Sequence, residues 1–355
     1  MKKEAISTPP HWHNTRLQRR LKLQSSVMGS VSALLAAIDG VKNSRQMREK
    51  LMPPSKERFI REAIMASTES SSRMAGNQLH DLECEKFFRK GDPKKFISAG
   101  EEEAVGYLRC LELSMHHYED LPIHESTIFK LHHDLFAYSD KELHHKGVYR
   151  SSSIRVEAKD QAGKFMTVLF EPTQPYLVKK EMQELLAWYQ WAISAKEHHP
   201  LVVTANFIFE YLAIHPFQDG NGRTSRLLTN LILQQHGYPF AQVASHEHCL
   251  EIHKTEYDSA LQKTQKTWKT PSEDIAPWLL FFLNSIKIQS QQALQRIEEN
   301  NIDHQLSEKQ VTLWHWAKSQ GTDFRGSEGI KASAPLEQKK KSIFKKFLGL
   351  RHPKK

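Results

Sequence analysis

The chain has 355 residues, of which 39% are hydrophobic and 26% charged, and its formal net charge is +9. This length is sufficient for two or three domains, and this composition is typical of a protein with an apolar core. It has no run of 18 apolar residues, no secretory signal in its first ten residues and only three, widely spaced cysteines. We therefore expect a cytoplasmic protein without a membrane span, with export into a host cell as the alternative.

The first part of the chain is predicted to be helical. Apolar residues recur in steps of three, four and seven over residues 15–41, which is the spacing of an amphipathic helix. A Pro-Pro pair at 53–54 interrupts this pattern, and a second helix is predicted from near Lys56 to Gly76. Similar patterns predict further helices over residues 101–118, 124–138, 178–195 and 201–214.

A β-hairpin is predicted among these helices. Two β-prone runs, residues 153–157 and 164–170, flank a turn that contains Gly163. The predicted hairpin covers residues 153–170.

The C-terminal part differs from the preceding residues in composition and in apolar periodicity. Residues 287–303 are polar and are predicted to form a connector, whereas residues 306–320 open with a capping box and predict a short helix. Residues 320–338 show no periodic pattern. Residues 339–355 contain eight Lys or Arg and no acid, a tail that favours polyanions or is simply a solvated end.

Residues 215–226, His-Pro-Phe-Gln-Asp-Gly-Asn-Gly-Arg-Thr-Ser-Arg, carry the groups needed to hold a polyphosphate. Gly220 and Gly222 let backbone N–H groups approach an anion at the start of the helix that follows. Arg223 and Arg226 are three residues apart, so both guanidinium groups can face the same ligand.

Two further groups in this run indicate chemistry. Asp219 is a hard oxygen ligand where a Mg²⁺ that bridges two phosphates would bind. His215 has a pKa near neutrality and can accept a proton from an attacking hydroxyl. The alternative is a Gly-Asn-Gly turn between two helices, with a structural histidine and with Phe217 in the core. The co-occurrence of all these groups favours the polyphosphate site.

This run resembles the signature of the Fic family, His-x-Phe-x-(Asp/Glu)-Gly-Asn-Gly-Arg-x-x-Arg, and agrees at every fixed position. The sequence Gly147-Val-Tyr-Arg150 before the predicted hairpin resembles the family's flap region, and residues 257–261 and 274–278 resemble its later helices. The resemblance implies an all-α fold, a helical bundle with a short β-hairpin flap, to which this chain adds a small C-terminal extension.

The domain organisation that follows has three parts. We predict an N-terminal helical region over residues 1–57, a Fic domain over residues 58–290 and an extension with a basic tail over residues 300–355. Within the Fic domain we expect an inhibitory-like helix at 59–76, the flap at 153–170 and the signature at 215–226.

The resemblance also implies an activity, the transfer of AMP from ATP, with Mg²⁺ as cofactor, onto a Ser, Thr or Tyr hydroxyl of a target protein. It makes His215 the base and Asp219 the metal ligand, and it assigns phosphate binding to Gly220, Asn221, Gly222, Arg223 and Arg226. Gly222 favours nucleotidyl transfer, because the family's phosphotransferase branch carries Lys at that position. The flap would bind the target as an added strand through Lys164, Phe165, Met166, Thr167 and Val168.

One departure from the family concerns regulation. Many Fic proteins have an inhibitory helix that ends (Ser/Thr)-x-x-x-Glu-(Gly/Asn), and its Glu pairs with the second signature arginine. Ser71 and Gly76 match this pattern, but Ala75 stands at the Glu position and a methyl group cannot pair with Arg226. Glu69 would point about 240° away around the helix. We predict weakened autoinhibition, unless an acid comes from elsewhere in the fold or from a partner chain.

Several alternatives stay open. Residues 306–320 resemble the opening helix of a winged-helix-like unit that some Fic proteins carry, and with the basic tail they suggest a nucleic-acid-binding regulator. Contact of residues 343–348 with an anionic membrane is a less favoured interpretation. A homodimer is a further alternative for the assembly, and a nucleotide other than ATP is a further alternative for the donor. Histidine pairs at 144–145 and 198–199 lack companion ligands and predict no metal site.

Overall fold

The computed structural model describes residues 12–49, 53–77, 99–139, 144–159, 165–305, 322–325 and 329–332. The helices in this part of the chain are α1 (Arg16–Arg19), α2 (Ser25–Lys42), α3 (Arg45–Glu49), α4 (Pro53–Met74), α5 (Ala99–His116), α6 (Glu125–Leu135), α7 (Pro175–Ala195), α8 (Pro200–Ile214), α9 (Asn221–Gln235), α10 (His246–Ile252), α11 (Lys254–Gln265) and α12 (Ala276–Gln305). The strands are β1 (Val156–Lys159), β2 (Phe165–Phe170), β3 (Thr322–Arg325) and β4 (Gly329–Ala332).

Helix α8 forms the centre of the core. Every residue from Leu201 to Ile214 is buried, as its nearly continuous apolar sequence predicts. α8 packs against α7 and α9, and α9 packs against α5 and α6. The loop between α8 and α9 is therefore held at both ends by buried helices. The predicted all-α bundle is confirmed.

The predicted hairpin is also present. β1 and β2 are antiparallel, with Val156 opposite Phe170 and Lys159 opposite Phe165, and the register shifts twice along the pair. Such shifts bend and twist a two-stranded ribbon. The first strand begins at Val156 rather than at residue 153.

The N-terminal segment is tied to the core by a buried ion cluster. Arg16 and Arg20 both pair with Glu210 in α8, Arg20 at 2.6 Å, and the Nε1–H of Trp268 donates to the same carboxylate at 3.1 Å. Burial alone would raise the pKa of Glu210, but the charges and hydrogen bonds of the two arginines lower it to about 2. Glu210 is therefore ionised, and the cluster fixes residues 16–20 against α8.

Three sequence predictions about secondary structure were wrong. Residues 15–41 form two helices, because α1 ends at Arg19 where the arginines reach Glu210, and the chain is extended before α2. Residues 287–303 belong to the long helix α12. The buried face of this helix includes the polar Gln289 and Ser290, so the sequence shows no apolar helical period there. Residues 320–338 contain the antiparallel pair β3 and β4.

The chain divides into two compact units, residues 1–294 and 295–355, and the second contains β3 and β4. The predicted helix at 306–320 and the basic tail at 339–355 lie outside the described residues. In the part that is described, no helix is long and apolar enough to cross a membrane, and no group of three or more His, Cys, Asp or Glu side chains is placed to hold a metal.

Candidate active site

The loop between α8 and α9 is tightly constrained. His215 has a left-handed backbone (φ 54°, ψ 64°), which for a residue other than glycine costs about 1–2 kcal/mol. Gly220 is also left-handed (φ 78°), and a Cβ there would lie 2.8 Å from the ring of Phe136. The side chain of Asn221 closes the loop, since its Oδ1 accepts from Phe217 N–H at 2.9 Å and its Nδ2 donates to Phe217 O at 2.8 Å.

The imidazole of His215 is oriented as a proton acceptor. Its Nδ1 lies 3.1 Å from the carbonyl oxygen of Leu212 and must donate the hydrogen, because a carbonyl can only accept. The proton is therefore on Nδ1, and Nε2 keeps a free lone pair. Burial, together with a smaller contribution from the charge of Arg150, lowers the pKa of His215 to about 4, so the ring is neutral at physiological pH.

His215 lines a cavity of about 330 Å³. The cavity lies between the hairpin, the end of α4, the start of α9 and helix α11, and it brings together two of the predicted phosphate-binding residues, Gly222 and Arg226, with the imidazole. Its volume falls in the range of about 300–1,000 Å³ that is typical of small-molecule sites. The remaining walls are formed by Met74, Val156, Leu169, Leu212, Lys254, Tyr257, Asp258, Leu261, Gln262 and Gln265.

Arg223 lies outside this cavity lining and is engaged by two carboxylates. Its Nη1 donates to Glu103 in α5 at 2.5 Å, its Nη2 donates to Asp219 at 3.0 Å, and its guanidinium lies 5.0 Å from the ring centroid of Phe136. The arginine side chain is only 7% exposed, whereas that of Asp219 is 56% exposed. The carboxylate of Asp219 also accepts from Gly220 N–H at 2.6 Å, so it is held at the rim of the loop.

These contacts suit a Mg²⁺ ligand at Asp219. The carboxylate is exposed and stands immediately before the first turn of α9, whose N–H groups have no intrahelical acceptors. Mg²⁺ in phosphate-transfer sites is bound by one or two carboxylates together with substrate phosphates and water. A single carboxylate beside an anion-binding turn therefore fits this donor set.

Arg226 has a neutral partner. Its Nε and Nη2 donate to Ser71 Oγ at 3.1 and 2.9 Å, and Nη2 also donates to the Ser71 carbonyl oxygen at 3.2 Å. Among the described residues no carboxylate forms an ion pair with Arg226. Ala75 continues the helical spacing, since its N–H donates to Ser71 O at 3.2 Å, and both Ala75 and Gly76 are exposed.

The predicted flap residues are placed in part. Phe165, Met166, Thr167 and Val168 lie in β2, where Thr167 is exposed and Val168 is half-buried, while Lys164 lies outside the described residues. Two hairpin residues, Val156 and Leu169, line the cavity, and neither is among the flap residues predicted to bind the target.

A buried histidine supports the loop and was also missed. The Nδ1 of His132 accepts from Gly147 N–H at 2.9 Å, so its Nε2–H donates to the carbonyl oxygen of Asp219 at 3.0 Å. Its ring stacks on Phe217 with centroids 3.7 Å apart, and burial lowers its pKa to about 4. The apolar period of α6 predicts that this position faces inward, but nothing in the sequence indicates its partner.

Comparison with known proteins agrees with the resemblance seen in the sequence. Residues 122–233 match the sequence model of the Fic/DOC family. The protein adenylyltransferase fic-1 of Caenorhabditis briggsae is 30% identical over 140 residues, which is 39% of this chain and 24% of that protein. A Fido domain-containing protein of Dictyostelium discoideum is 36% identical over 97 residues, 27% of this chain and 63% of that protein. The chain thus spans less than two thirds of the length of either relative.

A solved structure shows the same fold. A Fic domain containing signaling protein from Bacteroides thetaiotaomicron VPI-5482 superposes with a TM-score of 0.59 at 22% identity. The superposition covers 76% of this chain and 98% of that chain, so the likeness extends well beyond the signature loop.

Proposed function

We propose that this protein, whose residues 122–233 match the Fic/DOC family model, transfers AMP from ATP to a Ser, Thr or Tyr hydroxyl of a target protein. The observation that carries the proposal is the geometry of His215. Its only free acceptor, Nε2, belongs to a side chain that lines the same cavity as Arg226 and Gly222. A proton acceptor beside an anion-binding helix start is the arrangement that a nucleotidyl transfer needs.

The reaction follows from these positions. The target hydroxyl loses its proton to Nε2 of His215, and its oxygen forms a bond to the α-phosphorus of ATP. The bond from the α-phosphorus to the bridging oxygen breaks, and pyrophosphate leaves. The first turn of α9 and the guanidinium of Arg226 hold the negative oxygens as charge moves onto the leaving group.

The nucleoside would occupy the part of the cavity between the hairpin and α11, where Leu169 and Leu261 supply apolar surface and Tyr257 supplies a ring. Asp219 would hold the Mg²⁺, which when bound neutralises charge on the phosphates. Strand β2 would receive the target main chain as an added strand, so its side chains would not select the target sequence.

The absence of a glutamate at Ala75 supports weakened autoinhibition. Arg226 bonds only a serine hydroxyl and a carbonyl oxygen in the described residues, so its charge is available to an anion. A γ-phosphate would meet no competing carboxylate from this end of α4.

Labelling with ATP tests the proposal. The full chain with Mg²⁺ and a cell lysate is expected to transfer label to protein from α-labelled ATP but not from γ-labelled ATP. His215→Ala is expected to lower this rate by about 10²–10⁴-fold, the usual contribution of a general base. His116→Ala removes an exposed histidine at the end of α5 and serves as the matched control.

Protein labelling that persists in His215→Ala would contradict the assigned base. Label that enters protein from γ-labelled ATP would identify a phosphotransferase instead. Parallel reactions with α-labelled GTP, CTP and UTP identify the preferred nucleotide, and absence of labelling with all four would reject nucleotidyl transfer to protein.

A further inference from the structure

Arg150 is a buried cation that bonds main-chain carbonyl groups around the catalytic loop. Its Nε donates to the carbonyl oxygen of His215 at 2.7 Å, and its Nη2 donates to that of Ile214 at 3.3 Å. Its own backbone N–H donates to Pro216 O at 2.9 Å. The side chain therefore contacts the main chain at the residues where α8 ends and the left-handed turn begins.

The same guanidinium also bonds both ends of the hairpin. Nη1 donates to Ser152 O at 3.0 Å, just before β1, and Nη2 donates to Thr173 O, just after β2. One side chain thus joins three segments of the chain: the entry to the hairpin, its exit and the catalytic loop.

No carboxylate of the described residues lies within ion-pair distance of Arg150, which is only 3% exposed. Its charge is solvated by carbonyl oxygens instead, and burial lowers its pKa. A buried cation without a counter-ion is costly unless its hydrogen bonds are satisfied, so these carbonyl contacts must form together. A positive charge held by four carbonyl groups indicates a geometric role for this side chain.

We propose that Arg150 is a positioning residue that fixes the distance between the target-binding hairpin and the imidazole of His215. The proposal rests on the proposed function, in which the hairpin holds the target and His215 accepts its proton. Because both elements are bonded to one guanidinium, a hydroxyl presented on the hairpin arrives at a set distance from Nε2.

An arginine is required for this task. Its planar fork offers five N–H donors in fixed directions, whereas a lysine ammonium is a compact group that cannot reach carbonyls on several sides at once. Arg150→Lys should therefore keep the charge and lose the coupling, and Arg150→Gln should lose both.

The matched control is Arg109 in α5, which the proposed function does not use. Its side chain is 39% exposed and pairs with Glu112 at 2.6 Å, so it has a charge partner and only partial burial. Arg109→Lys and Arg109→Gln alter the same kind of residue without touching the hairpin or the catalytic loop.

Transfer kinetics give the first readout. We would measure pyrophosphate release from Mg-ATP in the presence of a fixed lysate, with ATP-binding stoichiometry used to count folded enzyme. Both Arg150 variants are expected to lower kcat by about 100-fold, the effect of a displacement near 1 Å, with KM for ATP changed less than about threefold. Both Arg109 variants are expected to match the wild type. Wild-type kcat in Arg150→Lys, or a loss confined to KM for ATP, would overturn the positioning role.

Hydrogen exchange gives a readout that does not depend on turnover. In Arg150→Lys the amides of residues 169–173 and 214–217 are expected to exchange faster together, while those in the middle of α8 stay protected. Faster exchange in only one of the two segments, or in neither, would show that Arg150 does not couple them. If the wild-type enzyme releases no pyrophosphate, the proposed function fails, and the exchange result still decides whether Arg150 couples the hairpin to the loop.

Discussion

Arg223 and Arg226 lie one turn apart on α9 and are both buried, but Arg223 is bonded directly to carboxylates and Arg226 is not. Arg223 contacts two carboxylates, Glu103 and Asp219, so its cluster of one guanidinium and two carboxylates carries a net charge of −1. Among the described residues Arg226 hydrogen-bonds only the hydroxyl and carbonyl oxygens of Ser71, so no carboxylate is bonded directly to its guanidinium. Two identical side chains in one run of twelve residues therefore differ in their direct partners.

On the proposed function, this difference predicts where each part of Mg-ATP would bind. A cation is favoured beside the Arg223 cluster, where Asp219 is exposed, and an anion is favoured beside Arg226 at the cavity. On the proposed function, the Arg223 cluster would therefore serve mainly to hold Asp219, whereas Arg226 would meet phosphate directly.

The largest effect is expected from Arg223→Gln. The substitution leaves two carboxylates uncompensated beside the phosphates, so kcat/KM for ATP should fall by about 100-fold or more, the scale of roughly 2–3 kcal/mol for a hydrogen bond to a charged group. The double variant Glu103→Gln with Arg223→Gln should recover part of this loss, because it removes one of the two carboxylates. Equal activity of the single and double variants would show that uncompensated negative charge is not the cause of the loss.

A smaller effect is expected from Ala75→Glu. A carboxylate placed one turn beyond Ser71 could pair with Arg226. Arg226 would then be bonded to a carboxylate, as Arg223 is. Transfer of label from α-labelled ATP should then fall by about tenfold, the effect of one charged hydrogen bond. Ala75→Gln has the same shape without the charge and should transfer at the wild-type rate; a similar fall in both variants would assign the effect to bulk.

Glu103→Gln should act in the opposite direction. Loss of one negative charge beside the proposed nucleotide site removes a repulsion of about 1 kcal/mol between this carboxylate and the phosphates. The Kd for Mg-ATP is therefore expected to fall by about threefold to tenfold. Isothermal titration calorimetry would measure this. The control is Glu112→Gln on the same helix, where the carboxylate pairs with Arg109 instead. Weaker binding in Glu103→Gln would show that Glu103 orients Arg223 for the phosphates.

The smallest effect is expected from pH. The pKa of His215 is lowered to about 4, so the neutral, active form is present above this value and is lost only as the pH falls through it. Between pH 5 and 8 the value of kcat/KM for ATP should change by less than about twofold on account of this group, whereas an ordinary histidine would lose about 30-fold by pH 5. A loss of activity centred near pH 6.5 would show that the imidazole is not desolvated.

The sequence predicts the catalytic loop well for two reasons. Its functional groups lie within twelve consecutive residues, and its glycines occur where the backbone conformation or close packing requires them. Gly220 is left-handed and closely packed, and the helix that follows begins at Asn221. The direct partners of the arginines could not be predicted in this way. Nothing in the sequence indicates Glu103, which lies 120 residues from Arg223. The resemblance places the end of helix 59–76 opposite Arg226, but it does not identify Ser71, 155 residues away, as the partner.

The errors in secondary structure have the same origin. Helix α12 continues through a polar stretch because Gln289 is buried and donates to the carbonyl oxygen of Ala244 at 2.8 Å. The break before α2 follows from the ion cluster around Glu210, which holds α1 against α8. In both places a tertiary contact between distant segments overrides the local pattern.

The cluster around Glu210 has a practical meaning for anyone who shortens this protein. Removal of residues 1–24 would take away Arg16 and Arg20 and leave a buried carboxylate without a cation, at a cost of about 3–5 kcal/mol. Glu210 lies on α8 only five residues before His215, which directly follows the last residue of that helix. Removal of these N-terminal residues would therefore weaken the helix that positions His215, and a shortened protein that loses activity should first be tested for folding.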